Sequence, residues 1–167
     1  MNGDDSNMRE LDEAEYDAVW DDFYGKFDFK PSVDGPFPAI KEPRDSITFK
    51  FRENYTDSDI DNLAKSISTA FVECGVELEE VYYLDWQHDC YALAPTEIQG
   101  SWATGFPDGD YAIFLSKDMA FGTFGHPWEN SICVFGDRFV KALLTVSPSI
   151  LEYSIRNSGC YAEPMRQ

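Results

Sequence analysis

Tyr16, Val19, Trp20 and Phe23 are spaced i, i+3, i+4 and i+7, with Asp and Glu filling most of the positions between them. That spacing predicts an amphipathic helix, with Gly25 as its stop. The stretch "KPSVDGPFPAIKEPRDS" has four prolines and no period, and is expected to be a loop across the surface. "ITFKF" (47–51) alternates, which predicts a strand with Ile47, Phe49 and Phe51 on one face. "TDSD" offers capping oxygens to a second helix, whose stripe is Ile60, Leu63, Ala64, Ile67, Phe71 and Cys74 and whose end is Gly75.

From Val81 the period becomes two. "VYYLDWQHDCYALAP" predicts one long or bent strand, "YAIFLS" a short one, and "KDMAFGTFG" and "SICVFG" a hairpin. Asp137 is placed to cap a last helix carrying Phe139, Val140, Leu143 and Leu144, and "SILEYSI" beyond Pro148 is expected to add a further turn or two of helix. Consecutive strands on short turns predict one α+β domain, a mainly antiparallel sheet with three or four helices packed on one face. The expected boundaries are a mobile acidic N-terminus at 1–11, the domain at 12–160 and a short tail at 161–167.

Composition sharpens this picture. The 167 residues are 43% hydrophobic, with 13 Phe, 9 Tyr and 4 Trp, a globular rather than a disordered balance. No apolar run approaches membrane-spanning length, and the acidic start lacks signal-peptide features, so a cytoplasmic location is expected. Cys74, Cys90, Cys133 and Cys160 are scattered without a C-x-x-C pair and are expected to be reduced.

Charge changes the picture most. The net charge is −18, and it is segregated: residues 1–22 hold nine acids and one base, residues 73–89 six acids and no base. Such a field repels nucleic-acid phosphates and anionic lipid and favours a basic protein partner. The expected docking face is Glu13, Asp17, Asp21 and Asp22 on the first helix, with Glu77, Glu79 and Glu80, and Trp128 as a recognition rim.

Candidate chemistry is sparse. P-loop, dinucleotide, G-x-S-x-G and H-E-x-x-H motifs are absent. "PDGDY" (107–111) reads as a turn with Gly109 at positive φ and Asp108 bonding its own backbone. His88 alternates onto the face of Leu84, Trp86 and Cys90, which predicts a buried imidazole. Were the chain an enzyme, His88 and His126 would converge, with Asp85 and Glu129, or Asp108 and Asp110, as acid–base or metal partners. No histidine pair has a specific metal-ligand spacing, so no metal or cofactor is expected. In "HPWE" (126–129), Pro127 suits a type I turn. Trp128 then either folds back to close the sheet, with Glu129 bonding a backbone amide, or joins His126 and Glu129 on a recognition surface.

"YLDWQH", "PDGDY" and above all "FGTFGHPWENSICVFG" resemble the bacterial domain-of-unknown-function family 2716, from the first helix to the last. The resemblance implies a single bacterial α+β domain and assigns no catalytic residue. Two readings follow: an acidic binding protein that docks or neutralises a basic partner, such as a toxin in the manner of an immunity protein, or a small hydrolytic or metal-assisted enzyme.

Overall fold

The computed structural model describes residues 8–76, 79–99 and 103–161. In chain order the elements are β1 (Met8–Glu10), α1 (Glu13–Phe27), β2 (Ser46–Phe51), α2 (Asp57–Glu73), β3 (Val81–Asp85), β4 (Tyr91–Leu93), a 3-10 turn (Pro95–Glu97), β5 (Ala112–Leu115), β6 (Gly122–His126), β7 (Ser131–Phe135), α3 (Asp137–Val146), β8 (Leu151–Asn157) and β9 (Cys160–Tyr161). The strands form one antiparallel sheet in the order β1-β4-β3-β5-β6-β7-β2-β8-β9.

The α+β class stands, but the helices occupy both faces of the sheet rather than one. The reason is written in the central strands. β5 and β7 are buried at every position, so Ala112 and Phe114, with Ile132 and Val134, face α2 and α3. Ile113 and Leu115, with Cys133 and Phe135, face α1. A strand that is apolar on both sides needs a cover on both sides. On the first face Phe71 of α2 packs on Phe139 of α3 at 4.7 Å. On the second, Phe23 and Phe27 of α1 meet Phe124 and Phe135 at 6.2 and 5.3 Å.

α2 begins as expected, with Thr56 and Asp59 closing a capping box. Elsewhere local signals were overridden. α1 runs through Gly25 to Phe27, because Phe27 is buried against Phe135 and the helix stops only at left-handed Asp28. Gly136, not Asp137, is the N-cap of α3. The segment after Pro148 is a strand, not helix: β8 pairs with β2, and its side chains pack from there. The proline-rich loop is part of the core cover, with Phe29, Ala39 and Ile40 buried among the α1-face residues. Met8–Glu10, in the acidic N-terminal segment, pairs with β4, and residues 1–7 and 162–167 lie outside the described residues.

Candidate functional site

Register gathers the unusual segments at one end of the sheet. Asp85 pairs with Ala112, Ala112 with Gly125 and Gly125 with Ile132, so the ends of β3, β5, β6 and β7 lie in one row. "YLDWQH", "PDGDY" and "FGHPWE" therefore converge there. Gly125 lets the 105–107 loop approach closely in that row: a Cβ would sit 3.0 Å from the Gly105 carbonyl and 3.1 Å from Pro107, so a larger residue needs the loop to give by a few tenths of an ångström.

On the α2 side this end is concave. A cleft of about 450 Å³ opens between the start of α2 and the sheet, lined in part by Tyr55, Asp57, Asp85, Phe106, Asp108 and Asp110. Strand period explains two of these acids. Asp110 lies two residues before Ala112, the partner of Asp85, so both carboxylates project to the same face. β3 ends at Asp85, and Gln87 takes a left-handed φ of 66° that turns the chain back. The expected long or bent strand is thus two strands with a turn between, and His88 rides on that turn.

This corrects the placement of His88. It is exposed, its side chain 62% accessible, rather than buried with Leu84 and Cys90. Its Nδ1 lies 3.1 Å from Asp85 Oδ1 and 3.7 Å from Asp110 Oδ2. The hydrogen bond to Asp85 raises the imidazole above its ordinary pKa. Burial raises the Asp110 carboxyl, while its Oδ1 accepts the Tyr111 backbone N–H at 2.8 Å. Gly109 has the expected positive φ of 77°, but the carboxylate that bonds local backbone is that of Asp110 rather than Asp108.

The opposite side of the same sheet end is dry. His126 is 1% exposed, caged by Phe37, Tyr111, Phe124 and Trp128 with ring centroids 4.6 to 6.2 Å away. Its Nδ1 accepts the Glu129 backbone N–H at 3.1 Å, which closes the HPWE bend through a side chain. Desolvation drives its pKa down to about 4, so the ring is neutral with the proton on Nε2. Trp128 folds back onto Tyr111 at 5.1 Å, half buried, as the packing reading of the bend requires.

Glu129 does not bond a backbone amide. It is buried in an ion triad that the sequence did not announce: Arg156 Nη2 donates to Glu129 Oε1 at 2.6 Å and Nε to Glu42 Oε1 at 2.7 Å. The Ser131 hydroxyl donates to Glu129 at 2.6 Å and Thr48 donates to Glu42. Burial would raise the Glu129 carboxyl, but Arg156 outweighs it and holds the pKa below the ordinary value. Sequence offered no signal for this triad: Arg156 follows directly on "SILEYSI", a stretch expected to be helical. His88 and His126 thus have separate surroundings, His88 with Asp85 and Asp110 and His126 with the α1-face aromatics.

Of the expected docking face, Glu13, Asp17, Asp21 and Asp22 are exposed along α1. None of them enters an ion pair among the described residues. Glu79 is exposed, Glu77 lies outside the described residues, and Glu80 is held by Arg9 at 3.0 Å and Lys117 at 3.1 Å. Arg9 also pairs with Glu15 at 2.7 Å, which ties the 79–80 segment to the start of α1. No helix among the described residues is long and apolar enough to cross a membrane.

Comparison with known proteins places these features in a family. An "Uncharacterized protein YxiI" of Bacillus subtilis (strain 168) is 30% identical over 150 residues, covering 82% of this chain and 92% of its own. No solved structure matches the chain. The profile of the family described as "Protein of unknown function (DUF2716)" matches residues 10–140, α1 through the first turn of α3 and all three segments at the row end, and the chain belongs to that family.

Proposed function

We propose that the protein is an acidic cytoplasmic binding module that docks a basic protein partner, and so neutralises it as an immunity protein neutralises its toxin. The observation that carries this reading is the outer stripe of α1. Glu13, Asp17 and Asp21 repeat at i, i+4 and i+8, with Asp22 beside them, all exposed and unpaired among the described residues. Like charges at this spacing each cost a helix about 0.2–0.5 kcal/mol. A fold gains nothing from that repulsion, whereas a basic surface laid against α1 would relieve it. Trp128 is half buried against the core on the α1 side of the sheet, and its accessible edge is the aromatic group this reading would draw on. An enzymatic reading is left with Asp85, His88 and Asp110, because His126 and Glu129 are engaged in packing and in the triad.

The test is affinity capture with wild type and with the Glu13→Gln, Asp17→Asn, Asp21→Asn, Asp22→Asn variant as baits, at low and high salt. The reading predicts a basic protein held by wild type at low salt and depleted from the variant. Equal capture by both baits would remove the α1 stripe as the docking face.

A further inference from the structure

We infer that Asp85, His88 and Asp110 form a binding site for a divalent transition-metal ion at the mouth of the acidic cleft. One donor atom from each residue lies within 4.8 Å of the other two. Adjacent ligands on an ion with bonds of about 2.0–2.2 Å stand about 3.0–3.5 Å apart. The 3.1 Å from His88 Nδ1 to Asp85 Oδ1 meets that spacing, and the 3.7 Å to Asp110 Oδ2 is within a small side-chain rotation of it.

The donor set also restricts the ion. An imidazole with two carboxylates suits Mn²⁺, Fe²⁺ or Zn²⁺, while Mg²⁺ and Ca²⁺ prefer oxygen alone. The set is built by the fold rather than by sequence proximity. The Asp85–Ala112 register brings Asp110 beside Asp85, and the left-handed Gln87 swings His88 back over both. These residues come from "YLDWQH" and "PDGDY", two segments that carry the family resemblance, and the packing of the core uses none of the three side chains. Asp57 and Asp108 line the same cleft and no Lys or Arg among the described residues does, so the local field also favours a cation. Three protein donors leave the remaining positions of the ion to water or to a ligand entering the cleft.

The experiment is titration of chelator-treated, full-length protein with Mn²⁺, followed by electron paramagnetic resonance of the free ion, with Mg²⁺ as competitor. Mn²⁺ is the probe because thiols bind it poorly, so the four cysteines do not compete. The expected result is one Mn²⁺ per chain, weakened about tenfold or more by His88→Ala and by Asp110→Asn and untouched by Glu152→Gln, an exposed acid on β8. His88 is exposed, so its replacement leaves the fold intact, which a thermal melt verifies. Absence of Mn²⁺ binding would overturn the site, as would binding that His88→Ala leaves unchanged or that equimolar Mg²⁺ displaces.

Discussion

His126 shows how one side chain can serve the fold while looking like chemistry. Its neutral ring fills the space between Phe37, Tyr111 and Trp128 and accepts a hydrogen bond from the Glu129 backbone N–H. Its pKa falls from 6.5 unfolded to about 4 folded, so between these values the unfolded chain binds the extra proton. Stability contributed by this residue is therefore complete above pH 6.5 and lost as pH falls toward 4. Melts across this window should show a smaller acid-induced drop in Tm for His126→Gln than for wild type. Trp128→Ala should destabilise by about 2–4 kcal/mol through lost packing, which denaturant titration will read. Sequence put His126 and Trp128 at a bend, and the packing reading of Trp128 followed from its apolar area alone. It placed His88 wrongly, because period-2 alternation holds only while a strand continues, and a left-handed Gln87 is invisible to that pattern.

Among the elements, β8 is tied to distant partners through one side chain. Arg156 is 1% exposed and reaches both Glu42 in the proline-rich loop and Glu129 in the β6–β7 turn, so one guanidinium joins three segments. Removing it strands two buried carboxylates, and Arg156→Met should cost about 3–5 kcal/mol by denaturant titration. Replacing Glu42, Glu129 and Arg156 together by apolar residues should cost much less. α1 behaves in the opposite way. Neutralising Asp17 with Asn removes two i, i+4 repulsions and should raise stability by about 0.5 kcal/mol while weakening docking. Helices α1 and α2 were legible because each carries its own stripe; each also has a side-chain cap, Asp12 in α1 and Thr56 in α2. β8 was not, since "SILEYSI" acquires strand character only by pairing with β2. The two-sided cover of the sheet was implicit in the unbroken apolar runs "YAIFL" and "ICVF", which alternation alone does not interpret.

At the scale of the whole molecule, charge and thiols make separate predictions. Cys74, Cys90, Cys133 and Cys160 are unbridged, and burial raises Cys90 to about 11 and Cys133 higher still. Thiol titration of denatured, unreduced protein should find four free groups. The net charge of −18 is not spread evenly, and one part of it left without ion pairs among the described residues is the outer face of α1. Charges on such a rim act chiefly on the association rate and its salt dependence. The direct measurement is the association rate of the captured basic partner with wild type and with the α1 variant neutralised at residues 13, 17, 21 and 22, across a salt series. Wild type should associate several-fold faster at low salt and lose this advantage as salt rises, with dissociation little changed. Equal rates and equal salt slopes for the two proteins would contradict it.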